Sequence, residues 1–533
     1  MSVDVPWWRK GVIYNAYPRS WYDGDGDGDG DLRGVIERLD YLVWLGIDGL
    51  WLNPIMPSPN FDWGYDVTDY RAIHPHFGTL ASFDELVAEA ATRGIDIVFD
   101  IVLSHTSDRH PWFVEARRSR TSRYRDYYVW RSSGPSGSRP NNWIGYFGEP
   151  AWTFDEATGE YYMHNFSQHQ PQLNWWNPEV RAEFDEILRF WFDRGVAGLR
   201  IDALQALLYD PELRNNPRAG PGDTRKENRL DQRFMFNANR PEIHEVVRRW
   251  RRLADRYDPP RLLFGETWVP SIEQMAEYYG TGDDQLDLAW NVPFLQSSFN
   301  VEALRSVIER TLALIPPRAW PAWAASTHDD DGRAATRWCK GNPDAIRCAL
   351  LLLLTIRGTP ILYYGDEVGM VEPPPEEFRS AAPDPVADEG SRHASRTPMQ
   401  WRPTPDGGFT TSSRPWLPIG DTRIANVESQ RADPGSILSF TRDLLALRRR
   451  IPELSIGSME LIEGPPDVVA WRRGTNVLVA LNLGPRARRI EFNGTLAIGT
   501  DRARDHEPVV GALTLRPFEG AIALRGSEAT RRA

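Results

Sequence analysis

Short apolar runs alternate with amphipathic stretches along most of the chain. The β-branched run at 95–103 has the length of a strand. It follows an amphipathic stretch that opens with an S-x-x-E capping-box pattern at 82–85 and ends at Gly94, a residue typical of helix ends. The same pair recurs where apolar positions 180, 184, 187, 188, 191 and 192 mark one helical face and Gly195 leads into 196–202. Helix followed by strand is the repeat of a parallel α/β sheet.

Eight runs of this kind have the pattern of buried strands. Most of them are separated by helical patterns, which is the arrangement of a (β/α)8 TIM barrel in the α/β class. The predicted strands are 12–17, 49–52, 95–103, 196–201, 262–265, 286–290, 322–325 and 361–364.

Two intervals, at 105–175 and at about 367–425, are too long for a simple crossover between strands. Both are rich in Pro, Gly, Ser and aromatic residues, which is typical of loops at the carboxyl ends of barrel strands. From about 455 the pattern changes to short β runs without helical periodicity. We therefore expect barrel segments at 1–104 and 176–454, an insertion domain at 105–175 after the third strand, a loop-rich subdomain at about 367–425, and a C-terminal β-sandwich at 455–533.

Composition narrows the class of protein. The 533 residues include 62 Lys+Arg and 74 Asp+Glu, a formal net charge of −12, which argues against a nucleic-acid partner. No apolar run approaches the ~20 residues that span a bilayer, and the N-terminus lacks the apolar region of a secretory signal. Cys339 and Cys348 lack the spacing of metal ligands or of a disulfide framework, so we expect reduced thiols in a cytoplasmic protein. The oligomeric state stays open.

Polar residues follow several predicted strands at their carboxyl ends. In a barrel these ends converge on one mouth, where such residues are typical of catalysis. A single Asp there would more often cap a helix, but three carboxylates and two histidines exceed what capping needs. The residues are His105, Arg200, Asp202, Glu266, His328 and Asp329.

Several carboxylates without Cys/His metal spacing suit glycoside hydrolysis. In that chemistry one carboxylate attacks the anomeric carbon and a second protonates the leaving oxygen. Arg200 lies two residues before Asp202 on a strand, so both point to the same face and Arg200 can hold Asp202 ionised. Glu266 then takes the acid/base role, which requires a raised pKa.

These residues stand in recognisable motifs. Leu199-Arg200-Ile201-Asp202, Gly265-Glu266-Thr267-Trp268 and His328-Asp329, preceded by Asp100 and Ser104-His105, resemble the ordered motifs of the α-amylase family, glycoside hydrolase family 13. The nearest resemblance is to its α-glucosidase and oligo-1,6-glucosidase branch, and it covers nearly the whole chain.

The resemblance implies a role for each matching position. Asp202 is similar to the nucleophile, Glu266 to the acid/base, and Asp329 to the third carboxylate, which grips sugar hydroxyls. It also implies that Asp66 pairs with Arg396 and walls off the pocket, so that only the end of a sugar chain fits. The full set of substrate-binding positions implied is Tyr65, Asp66, His105, Phe166, Gln170, Arg200, His328 and Arg396.

The resulting expectation is a retaining, exo-acting α-glucosidase that acts on a small α-glucoside or oligosaccharide. In this branch Val tends to follow the nucleophile in α-1,6 enzymes, so Ala203 favours α-1,4-linked, maltose-like substrates or sucrose. An α-glucosyltransferase or sugar isomerase, such as a trehalose synthase-like enzyme, uses the same chemistry and stays an alternative. A non-catalytic barrel that serves as a scaffold is a more distant one.

Three positions depart from the family pattern. Ser104 and Thr327 stand where Asn is usual before the two histidines, and Gln172 replaces the Asp of a Gln-Pro-Asp-Leu-Asn motif. The Ser104 change argues against an amylase-type calcium site beside the insertion. None of the three removes a catalytic carboxylate.

An acidic loop near the N-terminus has the spacing of a cation site. Its oxygens fall at loop positions 1, 3, 5, 7 and 9, as in an EF-hand, although Gly34 occupies the position of the final Glu. We expect a structural Ca²⁺, or Mg²⁺, and no organic cofactor; a flexible acidic loop is the alternative. The expected ligands are Asp23, Asp25, Asp27, Asp29 and Asp31.

Overall fold

The computed structural model describes residues 5–330, 332–380 and 392–525, and within these it forms 19 strands and 17 α-helices. The parts of the expected domains at 1–4, 331, 381–391 and 526–533 lie outside the described residues. In chain order the strands are β1 Ile13–Ala16, β2 Gly49–Leu52, β3 Asp96–Val102, β4 Trp130–Arg131, β5 Trp152–Asp155, β6 Glu160–Met163, β7 Gly198–Asp202, β8 Leu262–Gly265, β9 Leu288–Ala289, β10 Ala322–Ala324, β11 Thr359–Tyr363, β12 Met459–Ile462, β13 Val468–Arg473, β14 Val477–Asn482, β15 Arg488–Glu491, β16 Gly494–Gly499, β17 Pro508–Val509, β18 Ala512–Leu515 and β19 Glu519–Leu524.

The helices surround the barrel and bridge to the C-terminal sheet. Among the described residues, no helix combines the length and the apolar character needed to cross a bilayer. The helices are α1 Trp7–Lys10, α2 Pro18–Trp21, α3 Leu32–Glu37, α4 Leu39–Leu45, α5 Leu80–Thr92, α6 Pro111–Ala116, α7 Pro178–Asp193, α8 Arg225–Leu230, α9 Ile243–Ala254, α10 Ile272–Glu277, α11 Val292–Leu295, α12 Val301–Leu314, α13 Ala334–Arg337, α14 Pro343–Thr355, α15 Val427–Ala432, α16 Ile437–Arg450 and α17 Pro452–Ser455.

Eight parallel strands form the nearly closed barrel, in the order β10-β11-β1-β2-β3-β7-β8-β9. Each corresponds to one of the eight predicted strands, so the predicted fold class is confirmed. The two strands at the ends of this order, β9 and β10, are short, with two and three residues. The registers bring the carboxyl ends of neighbouring strands to one side: Val102 pairs with Asp202, and Ile201 with Gly265.

Strand alternation decides which side chains point into the barrel. On β7, Leu199 and Ile201 join the large apolar core between strands and helices, so Arg200 and Asp202 face inward. The lower interior of the barrel is filled by a separate apolar cluster that includes Trp51, Val98 and Phe264. Arg200 and Asp202 therefore lie at the mouth, above this cluster.

The two helix–strand pairs singled out in the sequence are both present. α5 ends before Gly94, whose φ of 70° is the left-handed conformation expected of a residue after a helix. Its predicted start is wrong, because Thr79 rather than Ser82 is the N-cap. Ser82 instead completes a capping box with Thr79. In α7 the predicted face is buried, from Val180 to Phe192.

The interval after β3 contains α6 and a three-stranded antiparallel sheet in the order β4-β6-β5. Isolated bridges pair His105 with Gln172 and Tyr128 with Leu173. These bridges join the beginning and the end of the insertion directly above β3, which places its aromatic residues over the barrel mouth.

The C-terminal strands form a six-stranded antiparallel sheet, β12-β13-β14-β19-β16-β17, and a two-stranded sheet, β15-β18. Residues such as Ala470, Leu478 and Leu513 bury an apolar cluster between the two sheets. The opposite face of the larger sheet, including Trp471 and Ile522, joins the core of the barrel helices. This C-terminal unit is all-β, as the pattern of short runs predicts.

Candidate active site

Arg200 lies at the centre of the polar cluster in the barrel mouth. It is 1% exposed. Its Nη1 donates to Asp100 Oδ1 at 2.9 Å and to Asp202 Oδ1 at 2.8 Å, and its Nη2 lies 2.8 Å from Glu266 Oε1. One guanidinium therefore holds three carboxyl groups from β3, β7 and the end of β8. Its planar fork fixes Asp202 and Glu266 side by side.

Glu266 is also held by the backbone beside Asp202. The N–H of Ala203 donates to Glu266 Oε2 at 2.7 Å. Ala203 has φ 43° and ψ 42°, a left-handed conformation that non-glycine residues rarely adopt. This strained turn directs the amide toward Glu266, and strain of this kind is common at active sites.

Asp329 is held by cations and by its neighbouring histidine. His328 Nε2 lies 3.1 Å from Asp329 Oδ2, and Arg396 Nη2 donates to Asp329 Oδ1 at 3.0 Å. Arg396 also donates from Nε to the carbonyl of His328 at 2.8 Å. The predicted residues His328, Asp329 and Arg396 therefore meet in one cluster.

Tyr65 joins that cluster to Arg200. Its hydroxyl lies 2.6 Å from His328 Nε2 and 3.3 Å from Asp100 Oδ2. The Asn53 amide donates to the same hydroxyl at 3.1 Å. Tyr65 is therefore fixed at the side of the pocket between the two groups of carboxylates.

The far wall of the pocket corrects one expectation from the sequence. The Asp66 carboxylate accepts from Ser58 Oγ at 2.6 Å and from the backbone of Phe61 and Asp62, so it caps a turn and does not meet Arg396. The ion pair at this wall is instead Asp62 with Arg392, at 2.7 Å. Hydrogen bonds within the turn occupy the oxygens of Asp66, and Asp62 is the carboxylate that lines the pocket.

Three other predicted residues complete this wall. Gln170 Nε2 donates to Asp62 Oδ2 at 2.9 Å and lies 3.1 Å from His105 Nε2. The Phe166 ring lies 5.0 Å from the His105 ring, centroid to centroid. His105 and Phe166 line the same pocket as Tyr65, whereas Gln170 supports the wall through its contacts with Asp62 and His105.

Burial and charge together set the protonation of the site. Burial raises the pKa of Glu266, and burial together with the Glu266 charge raises that of Asp202, so this pair retains a proton that isolated carboxyl groups would lose. Burial would also raise the pKa of Asp329, but His328, Arg396 and Arg392 hold it well below its ordinary range. Burial lowers the pKa of His105 to about 3 and that of His328 to about 4, which keeps both rings neutral at pH 7.

The order of these residues along the chain matches one family of proteins. The catalytic-domain model of the alpha-amylase family matches residues 15–457. The chain belongs to the α-amylase family. The relative "Probable alpha-glucosidase" of Rhizobium meliloti (strain 1021) is 39% identical over 490 residues, which cover 89% of this chain and 88% of the relative. The oligo-1,6-glucosidase of Heyndrickxia coagulans is 34% identical over 569 residues, 97% of this chain and 99% of the relative.

A solved structure agrees with this membership. The crystal structure of the alpha-glucosyl transfer enzyme XgtA has a TM-score of 0.89 and 36% sequence identity, and the match covers 98% of this chain and 100% of that one. The chain is therefore an enzyme of the glycoside hydrolase class within the α-amylase family, in the branch that the sequence motifs indicate.

The pocket in the barrel mouth encloses a volume of about 730 Å³, part of it open to solvent. We call it the barrel pocket. Sequence reasoning assigned no role to several residues of its wall. Most of them come from the insertion and from loops without a motif, whereas Trp268 belongs to the motif that contains Glu266. The missed residues are Asp62, Tyr146, Phe147, Gln205, Lys226, Trp268 and Arg392.

The three departures from the family pattern have local contacts in the structure. The Ser104 hydroxyl lies 2.9 Å from His105 Nδ1, and Thr327 Oγ1 lies 3.5 Å from His328 Nδ1. Gln172 donates to the carbonyl of Ala206 at 2.8 Å. Each substituted side chain thus contacts the histidine it precedes or the turn after Asp202.

The acidic loop forms two groups of potential cation ligands. Among the described residues, two sets of three side chains have ligand atoms within 4.8 Å of one another. The first set is Asp23, Asp25 and Asp27, and the second is Asp27, Asp29 and His76. Three carboxylates at this spacing suit a hard cation that takes oxygen ligands. Asp31 lies outside both groups. Its carboxylate accepts from the N–H groups of residues 24, 25 and 34, because Asp31 is the N-cap of α3.

Proposed function

We propose that this chain is a retaining, exo-acting α-glucosidase that removes glucose from the non-reducing end of small α-glucosides. The observation that carries the proposal is the attachment of Asp202 and Glu266 to the two terminal nitrogens of Arg200. Carboxyl groups held side by side favour direct attack by one of them, whereas an inverting enzyme needs room for a water molecule between carboxylate and sugar.

In the proposed mechanism, Asp202 attacks the anomeric carbon while Glu266 donates its proton to the leaving oxygen. Burial and the Glu266 charge raise the pKa of Asp202, but Arg200 acts in the opposite direction, and we propose that the proton retained by the pair lies on Glu266. The glycosyl-enzyme bond is then broken by water, from which Glu266 takes a proton. The ionised Asp329 lines the same pocket and can accept hydrogen bonds from sugar hydroxyls as positive charge develops in the transition state.

The proposal of exo action rests on an ion pair in the wall of the barrel pocket. Asp62 and Arg392 both line the barrel pocket and form an ion pair there. A charged pair that closes the end of a pocket leaves no path for a longer chain, so only a terminal glucose unit fits. The neutral His105 also lines the pocket, and the Gln170 amide holds Asp62 in place by a hydrogen bond at 2.9 Å.

The linkage preference that we propose is α-1,4, with maltose-like substrates or sucrose favoured. Ala203 lines the pocket beside Asp202, where the α-1,6 enzymes of the branch tend to carry Val. The smaller side chain leaves more room at the scissile bond, although one or two methyl groups change specificity by only ~1–3 kcal/mol.

Glucosyl transfer is the second candidate, and a cavity favours it. An outer cavity adjoins the barrel pocket and shares Tyr146, Gln205, Lys226 and Trp268 with it. Its volume of about 1880 Å³, including open solvent, is larger than that of the barrel pocket. An acceptor sugar held there could intercept the glucosyl-enzyme in place of water.

Product analysis separates these functions. The protein is incubated with maltose, sucrose and isomaltose, and the products are identified by chromatography. The proposed function gives free glucose as the main product and faster cleavage of maltose than of isomaltose. New disaccharides in excess of glucose would assign the transferase or isomerase function instead.

We also propose that the acidic loop binds a structural Ca²⁺ or Mg²⁺ ion through Asp23, Asp25 and Asp27. A bound divalent ion would offset the mutual repulsion of these carboxylates and stabilise the loop. The loop is in contact with a distant segment, since the Trp416 N–H donates to the carbonyl of Gly28 at 3.0 Å. None of these carboxylates lines the barrel pocket, which supports a structural rather than a catalytic role for the ion.

Chelation tests the structural role. EDTA is expected to lower the melting temperature by a few degrees, since an ion that binds only the folded state stabilises it by mass action. The rate of glucose release by the still-folded enzyme at 25 °C should stay unchanged. In Asp25→Asn the effect of EDTA on melting should largely disappear. Loss of activity on chelation without any change in melting would contradict the proposal.

A further inference from the structure

One buried hydroxyl ties together both ends of the loop that carries Asp329. Ser326 Oγ donates to Asp366 Oδ1 at 2.8 Å and accepts from the N–H of Ala334 at 2.8 Å. Ser326 follows β10 by two residues, and Ala334 is the first residue of α13. Ser326 and Asp366 are 1% and 5% exposed. The hydrogen bonds therefore attach this loop to the segment that follows β11.

A second set of contacts holds the same loop near Arg396. The Arg333 N–H donates to Glu372 Oε1 at 2.7 Å. Its guanidinium is fully buried and donates to Thr397 Oγ1 at 3.2 Å. Thr397 directly follows Arg396, whose guanidinium holds Asp329. The position of Asp329 relative to Arg396 thus depends on contacts outside the barrel pocket.

Asp366 has an environment that suits a fixed hydrogen-bond acceptor. Burial raises its pKa to about 7, while the Ser326 bond and the Arg333 charge act in the opposite direction. Glu367 and Glu372 raise it further. Cys339 lies with Asp366 in the lining of one small cavity. A buried carboxyl group is destabilising unless it is hydrogen-bonded, and among the described residues the Ser326 hydroxyl is the side chain that donates to Asp366.

We propose that Ser326 and Asp366 are positioning residues for the reaction: neither lines the barrel pocket, and the hydrogen bond between them sets the position of the Asp329 carboxylate. The inference rests on the proposed function, in which Asp329 interacts with the sugar in the transition state. Misplacement of a catalytic group by about 1 Å costs roughly a hundredfold in rate. Because Asp329 would be displaced rather than removed, we expect the loss mainly in kcat.

The first test compares Ser326→Ala with the wild-type enzyme on maltose and on 4-nitrophenyl α-glucoside. We expect kcat to fall about tenfold or more per folded molecule, and KM to change less than about threefold. Ser436→Ala is the matched control, because Ser436 is a buried N-cap of α16 whose side chain accepts from the N–H of Ser439. The control should lose a similar amount of stability and keep the wild-type kcat.

Rescue and coupling test the hydrogen bond itself. Asp366→Asn keeps an oxygen that can accept from Ser326 and should retain most of the wild-type kcat. Asp366→Ala should lower kcat, but by no more than Ser326→Ala, which also removes the acceptor of the Ala334 N–H. The double variant Ser326→Ala/Asp366→Ala should be no slower than Ser326→Ala, because that single variant already lacks the bond to Asp366. Asp366→Ala breaks the bond from the other side, so the test stands even if Ser326→Ala does not fold.

The outcomes distinguish this inference from the function on which it rests. With an active wild type, three results would overturn the inference. The first is a wild-type kcat in Ser326→Ala or in Asp366→Ala, and the second is an equal loss of kcat in Ser436→Ala. The third is a loss in the double variant that equals the product of the two single losses. A wild-type protein that cleaves neither α-glucoside would overturn the proposed function, and the inference with it.

Discussion

Replacing Asp202 with Asn is expected to lower kcat for maltose by at least about a thousandfold, because an amide is too weak a nucleophile to form the glucosyl-enzyme. Asn has nearly the same volume as Asp, and its carbonyl oxygen can still accept from Arg200 Nη1, which donates to Asp202 Oδ1 at 2.8 Å in the wild type. The melting temperature should therefore change little. Glucose release and thermal melting on the same preparation check both expectations.

Asp193→Asn provides the matched control for this substitution. Asp193 is the last residue of α7, and it accepts from the Tyr257 hydroxyl at 2.8 Å on the surface. The control should keep the wild-type kcat within about twofold. If Asp202→Asn retained a rate within tenfold of the wild type, the nucleophile would have to be another residue.

Replacing Glu266 with Gln is expected to lower kcat/KM for maltose by about 100- to 10,000-fold, since Gln cannot protonate the leaving sugar oxygen. With 4-nitrophenyl α-glucoside the formation of the glucosyl-enzyme should suffer much less, because nitrophenolate leaves without a proton. Comparison of the two substrates by steady-state kinetics measures this difference directly. An equal loss on both substrates would contradict the acid role of Glu266.

The pH dependence gives an independent readout of the same residue. Burial raises the pKa of Glu266, and the protonated acid is lost as the pH rises through that pKa. The wild-type kcat/KM should therefore fall on the alkaline side of its optimum, and this fall should be absent in Glu266→Gln with the aryl glucoside. Glu273 is a partly exposed residue of α10 that pairs with Arg310, and Glu273→Gln should keep the wild-type profile.

The barrel could be predicted from the sequence because its strands are buried on both faces. Such strands appear as apolar β-branched runs, and all eight were found at the right places. The predicted start of α5 was wrong because Ser82-x-x-Glu85 has the usual S-x-x-E pattern, whereas in the structure Thr79 is the N-cap and Ser82 takes the position usually held by Glu or Gln. Tertiary contacts decide which residue becomes the N-cap.

The residues at the strand ends could also be placed from the sequence, because strand alternation directs Arg200 and Asp202 into the same mouth. The far wall of the pocket could not be placed in this way. Asp62 and Asp66 are close in sequence, and only the folded turn determines which carboxylate accepts hydrogen bonds from the backbone N–H groups. Arg392 lies 330 positions from Asp62 along the chain, so no local pattern connects the two.

The stereochemistry of the first product tests the central claim most directly. ¹H NMR can follow the anomeric proton of the glucose released from 4-nitrophenyl α-glucoside before mutarotation equalises the two anomers. A retaining mechanism through Asp202 predicts that α-glucose forms first and that the β anomer grows in later. If β-glucose formed first, a single displacement by water would replace the covalent intermediate, and the account given for Asp202 and Glu266 would be contradicted.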